Sequence, residues 1–346
     1  MALAGSTRLQ AVTSELLVAG AALEEVARRI AENKNIEISG AAKLDPVETF
    51  SKLLDDLESD KAVEAISRIL EFEEGVYSQK GLVTYFADSS LLDIFTDTTE
   101  RAPTFMLPPF VKCDDNASPQ SWAFVKSPLM PTVDAWERVL QRKPRCLEWT
   151  KEDYIALGAS EKILSAPPKL DKEELFKFRV GNESDPRRFS PENSAAVALL
   201  SVSDAKIGLE DFIDKFNASK TDFPQSAIVF IGGEIEEASW SVPCNIPDSP
   251  IMLWEHLAVK LAMNIVSTLT MARMRRIKSN WMSWVEATNK KLIDRSTRLI
   301  VELCEVSYEK ACQTLFHSIE EITEKNWDNQ EKPSPVQHAI DKIKNQ

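Results

Sequence analysis

Apolar positions along this chain follow two periods. The first stretch, MALAGSTRLQAVTSELLVAGAALEEVARRIAE, opens at once into a helical pattern that Ser6 or Thr7 can cap. Asp45 to Glu74 is helical again, with Asp45-Pro46 as an N-cap and a first-turn proline. Gly81 to Ala87, GLVTYFA, is instead a short continuous apolar run, the pattern of a buried parallel strand. Asp88-Ser89-Ser90 follows, then a helix, LLDIFTDTTERA, that Pro103 is expected to close. Ser121 to Lys126 reads as a second strand, Asp134 to Leu140 as a short helix, and Pro144 to Trp149 as a strand end. Asn182 to Pro191 is a polar, charged loop. From Ser194 the alternation is plain: AAVALLSV as strand, AKIGLEDFIDKFNA as helix, SAIVFIGG as strand, and SWSVPCNI as a weaker strand near the sheet edge. The pattern predicts an α/β fold, a parallel sheet with helices on both faces.

The most apolar helix comes next, from Trp254. Leu257, Leu261, Met263, Ile265 and Leu269 keep a helical period and leave little polar face, so this helix is buried on most sides. Lys260 interrupts it, and burying an unpaired ammonium is costly. Either its head snorkels to water or a specific partner holds it. Helices over Thr288–Cys304 and Tyr308–Lys325 follow, and then a polar tail.

Composition narrows the function classes. The chain has 346 residues, a formal net charge of -13 and a pI near 5.0. No basic patch dominates, which argues against nucleic acid and anionic membrane as partners. The cysteines Cys113, Cys146, Cys244, Cys304 and Cys312 show no CxxC spacing, as for reduced thiols in a cytoplasmic or nuclear setting. His256, His317 and His338 are too far apart for a metal motif. No signal peptide or membrane span is visible. Neither a metal nor another cofactor is expected. The basic run Arg273, Arg275, Arg276 and Lys278 reads as the solvated end of the apolar helix, where cations complement the dipole. Trp240, Trp254, Trp281 and Trp284 read as packing residues.

Three stretches carry a resemblance. KLAMNIVSTLTMARMRRIKSNWMSWV followed by ATNKKLIDRSTRLIVE resembles the C-terminal signature of the N-acetylmuramic acid 6-phosphate etherases and the matching segment of the glucokinase regulatory proteins. Both belong to the SIS (sugar isomerase) superfamily of phosphosugar-binding domains. GLVTYFADSSLLDIFTDTTERAPTF resembles the strand, phosphate loop and helix that open such a domain, and AGSTRLQAVT the start of its last long helix. A domain-ending element thus precedes a domain-opening one, the tandem order of the glucokinase regulators. The resemblance implies a three-layer SIS-type fold. It further implies that residues 1–40 are the tail of a first SIS domain of which most is missing. Residues 41–302 form a second SIS domain, with a helical lead-in over 45–74 and its sheet from 81; 303–346 form a C-terminal helical segment and polar tail.

The same resemblance nominates residues. Ser89 and Ser90 stand in the family's phosphate loop, but Asp88 and Leu91 replace two of its glycines, and a carboxylate there repels phosphate. Capping of the next helix is the simpler role for the two serines. Glu100 falls on a catalytic glutamate of the etherases, without a match for the second; otherwise it is a solvated or capping residue. Lys260 matches a lysine of this helix in both relatives and offers a point charge to a phosphosugar. Ser6, Thr7 and Arg8 stand at a helix start, where they can meet a phosphate or simply cap. The expectation is a phosphosugar-binding regulatory protein without catalysis. Its partners are a small sugar phosphate, a sugar kinase or other protein, and a second copy in a homodimer. The alternatives are a carbon–oxygen lyase or isomerase acting on amino-sugar phosphates, and a structural remnant that binds no sugar.

Overall fold

A computed structural model describes residues 7–38, 44–325, 327 and 331–345, with backbone alone over 7–16. Helices α1 (Thr7–Lys34), α2 (Pro46–Leu57) and α3 (Asp60–Ser78) lead into β1 (Val83–Phe86), α4 (Leu91–Phe105), β2 (Ala123–Lys126) and α5 (Thr132–Leu140). Short helices α6 (Lys151–Ala156), α7 (Glu161–Ser165) and α8 (Lys172–Phe176) cross to β3 (Ala195–Ser201), α9 (Val202–Lys206), α10 (Leu209–Ser219), β4 (Gln225–Ile231) and β5 (Trp240–Val242). Then come α11 (Leu253–Arg273), the ribbon β6 (Ile277–Lys278) and β7 (Trp281–Met282), α12 (Lys290–Cys304), α13 (Tyr308–Glu324) and α14 (Pro335–Lys344).

The main sheet is parallel throughout, in the order β2-β1-β3-β4-β5. Alternate side chains of its strands enter two cores, as the period of two requires. Tyr85, Val197, Leu199 and Val229 pack towards α3, α4 and α11. Phe86, Ala196, Ala198, Leu200 and Phe230 pack against Phe212 and Phe216 of α10. Helices α12, α13 and α14 close a third core of their own. The α/β class and the weak edge strand agree with the sequence reading.

Local chemistry explains where boundaries differ. The helical lead-in is two helices because Ser59 starts α3, its hydroxyl accepting the Ala62 amide. Pro103 does not close α4: it lies in the last turn, and the helix ends at Met106 in the left-handed region, φ 53°. The expected strand at Pro144–Trp149 is a single bridge, Leu147 to Leu170. Gly208, φ 85°, separates α9 from α10, where one helix was expected. The polar tail contains α14, capped by Ser334 with Pro335 in its first turn, and Val336, Ala339 and Ile340 are buried at helical spacing. The basic run is not solvated throughout. Arg276 is buried, stacked between Trp122 at 4.7 Å and Trp284 at 4.1 Å, and donates to the Phe105 carbonyl.

Behind β1 lies a buried ionic cluster. Arg101 on α4 pairs with Glu73 on α3 and Asp97 on α4. Tyr77 and Tyr85 donate to Glu73 at 2.8 and 2.9 Å, and Thr270 of α11 at 3.0 Å. Burial first, and the Glu73 carboxylate second, push both phenols well above their ordinary range, so they remain donors. This cluster ties α3, β1, α4 and α11 together beneath the sheet ends described next.

Candidate functional site

Strand order reverses between β1 and β3, because β1 leads outwards to β2 while β3 leads the other way. In an open parallel sheet, ligands settle outside the carboxyl ends of the strands at such a point. Here those ends supply Asp88-Ser89-Ser90 after β1 and Ser201 to Asp204 after β3. A cleft of about 320 Å³ opens beside them, lined by Asp88, Ser89, Leu92, Arg138, Gln141 and His256, among others.

The loop after β1 already holds an anion of the chain's own. Asp204 accepts the Ser89 amide at 3.1 Å, the Ser89 hydroxyl at 2.7 Å and the Ser201 amide at 2.8 Å. Glu255, at the start of α11, accepts the Ser201 hydroxyl at 2.6 Å and both the amide and hydroxyl of Ser203, at 2.9 and 2.7 Å. These are the donors that a phosphate in the loop would need. Ser90 takes the N-cap position of α4, yet its buried hydroxyl makes no capping bond and has no partner among the described residues.

Two basic side chains stand at the mouth. Arg138 of α5 pairs with Asp88 at 3.3 Å. Burial pushes Asp88 above the usual carboxylate range, with Arg138 opposing and Asp204 adding to the rise. His256 sets Nδ1 2.7 Å from the Asp93 carboxylate of α4. That bond raises the imidazole above its ordinary pKa against the effect of burial, with the charges of Asp93 and Glu255 helping. An imidazole oriented by a carboxylate through one nitrogen offers the other to the cleft, as an anion donor when protonated and a proton acceptor when neutral.

Because the pKa is raised, the stability that the His256–Asp93 pair contributes is complete below the ordinary value of 6.5 and is lost as pH rises through the folded value. His256→Gln should therefore lower the melting temperature more at about pH 5.5 than at about pH 8.5. Equal losses at both pH values would show that the pair does not titrate as described.

Lys260 lies one helical turn beyond His256 and donates to Thr96 on α4 at 2.7 Å. It is not among the residues lining the cleft. Together with Ser267, which reaches Asp97 at 3.2 Å, it belongs to a polar seam that α11 lays against α4. Glu100 is half-buried on α4 and is likewise absent from the lining. Ser6 and the side chains of Thr7 and Arg8 lie outside the described residues. Of the nominated residues, Ser89 lines the cleft and Ser90 lies behind it. The residues that sequence reasoning passed over are His256, Arg138, Asp204 and Glu255. The signal for His256 was its position, four residues before Lys260 on the same helix face.

Among the described residues no group of histidine, cysteine and carboxylate side chains could hold a metal ion, and no helix is long and apolar enough to cross a membrane.

No family model matches the chain. Over 64 residues it is 45% identical to an N-acetylmuramic acid 6-phosphate etherase of Staphylococcus saprophyticus, which covers 18% of this chain and 21% of that protein. Over 54 residues it is 48% identical to the protein of the same name from Staphylococcus aureus, covering 16% of this chain and 18% of the relative. The chain thus matches about a fifth of the length of these curated relatives. Set beside the parallel five-stranded sheet, this likeness supports assignment to the SIS superfamily and does not single out a glucokinase-regulator-like member within it.

Proposed function

We propose that the chain is a regulatory, non-catalytic SIS-type protein that binds a phosphorylated sugar at the cleft beside β1 and β3. One observation carries this reading: the chain's own Asp204 takes the amide and hydroxyl of Ser89 in the loop after β1. A phosphate cannot use that loop without displacing a carboxylate, so the anionic group of a ligand belongs at the mouth, with Arg138 and His256. The sugar hydroxyls then face the Asp88 and Ser89 side. Binding of this kind orders a surface that a protein partner can read, which is the regulatory role proposed.

The segment identity to the etherases favours a second reading, a lyase on N-acetylmuramic acid 6-phosphate or a related sugar phosphate. In it, His256 would be the proton acceptor, because Glu100 does not line the cleft.

Melting curves with fructose 6-phosphate, fructose 1-phosphate, glucosamine 6-phosphate and N-acetylmuramic acid 6-phosphate distinguish the readings. At least one should stabilise the wild type, and Arg138→Ala should weaken that binding by about tenfold, the loss of one charge-assisted contact. No stabilisation by any of the four would sink the binding reading and leave a structural role. Turnover of the muramic acid ether that disappears in His256→Gln would establish the lyase instead.

A further inference from the structure

A second cavity, of about 250 Å³, lies on the other face of the sheet, where Phe86 meets the end of α10. Lys126, the last residue of β2, lines it and is 5% exposed. Among the described residues, its Nζ has one hydrogen-bond partner, the Arg179 carbonyl at 2.9 Å. An ammonium has three hydrogens to place.

The nearby charges are already engaged. Glu183 accepts the amide and hydroxyl of Thr132, both at 2.7 Å. Asp185 is paired with Arg187 at 2.8 Å. Arg188 donates to Thr84 and to the Val83 and Ser121 carbonyls. Lys126 therefore has no ion pair among the described residues, and burial brings its ammonium down to about 8. Glu183 and Asp185 oppose that fall, while Arg188 and Arg179 add to it. Asp222 is the remaining charged group on the cavity wall. A buried amine of this kind beside an open cavity is the arrangement of a carbonyl-reactive lysine.

We propose that Lys126 is a carbonyl-trapping amine, and that its cavity takes a small neutral aldehyde or ketone bearing hydroxyl groups. The free amine adds its lone pair to the carbonyl carbon as the C=O π bond breaks onto oxygen, and a proton passes from the nitrogen to that oxygen, giving a neutral carbinolamine. A further proton from solvent converts the hydroxyl to a leaving water; the C–O bond breaks as the nitrogen lone pair forms the new π bond, leaving a protonated imine. No oxidant or reductant is consumed. Neutrality follows from the carboxylates of Glu183, Asp185 and Asp222, which disfavour an anionic carbonyl compound. Asn182, Ser184 and Ser219 supply hydrogen bonds for hydroxyls, and Phe86 and Phe223 an apolar wall.

Reductive trapping tests this on the full chain. Glyceraldehyde and sodium cyanoborohydride are added, and adducts are located by peptide mapping. At about pH 7.5, Lys126 should label about tenfold faster than the exposed Lys61 and Lys52, and its rate should level off above about pH 8 while theirs keep climbing. Lys126→Arg should lose the fast adduct; if that variant folds poorly, the wild-type map decides alone. Labelling no faster than at Lys61, or a rate at Lys126 that climbs with the surface set to pH 10, would overturn the reactive amine. Equally fast labelling by glyceraldehyde 3-phosphate would overturn the neutral ligand class.

Discussion

Arg101→Met is expected to lower the free energy of unfolding by about 3–5 kcal/mol, because it leaves Glu73 and Asp97 buried without their counter-ion. Arg101 is 1% exposed, and so is Glu73, whose carboxylate it neutralises. Tyr77, Tyr85 and Thr270 already give their hydrogens to Glu73, so among the described residues they cannot also replace the arginine. Urea unfolding measures the loss. Pairing the change with Glu73→Gln should recover part of it, since an uncharged amide costs less to bury than a carboxylate. The exposed Arg298–Asp294 pair on α12 is the comparison: Arg298→Met should leave the midpoint where it is. An Arg101 variant as stable as wild type would mean that the cluster contributes nothing beyond its shape.

The second large effect concerns Asp204. Asp204→Ala removes the shared acceptor of the Ser89 amide, the Ser89 hydroxyl and the Ser201 amide. Leaving such donors without an acceptor should cost about 2–3 kcal/mol. The same change empties the loop of its internal anion. Inorganic phosphate should then raise the melting temperature of the variant more than that of the wild type. An equal response of both proteins would show that Asp204 does not occupy the phosphate position. A variant that responds while the wild type still binds sugar phosphates would place the ligand's anionic group outside the loop, at Arg138 and His256.

Much of the architecture was legible because it depends on local period. GLVTYFA, AAVALLSV and SAIVFIGG are apolar on both faces, as strands covered on both sides must be, and each is a strand. Only the family resemblance marked the loop with Asp88 in place of a glycine as an unfavourable phosphate site. What escaped notice was non-local. His256 had no partner in the sequence, since Asp93 is 163 positions away. Lys260 looked like an isolated charge, and Thr96 lies 164 positions away. Arg276 looked like part of a solvated basic run until two tryptophans from different segments closed on it. The α14 signals, Ser334-Pro335 and a short apolar period, were present but were obscured by the polar residues between them.

The sequence by itself determined the α/β class and the buried nature of α11. These follow from side-chain period and charge, which act between near neighbours. Only the tertiary structure decided which groups meet at the cleft. Asp204 reaches Ser89 because parallel pairing of β1 and β3 brings their carboxyl ends side by side. His256 reaches Asp93 because α11 packs along α4. Among the described residues Lys126 is left with a single partner, because the loop carrying Glu183 and Asp185 engages both carboxylates elsewhere. Such contacts depend on how elements far apart in the chain are stacked, and no pattern within one element records them.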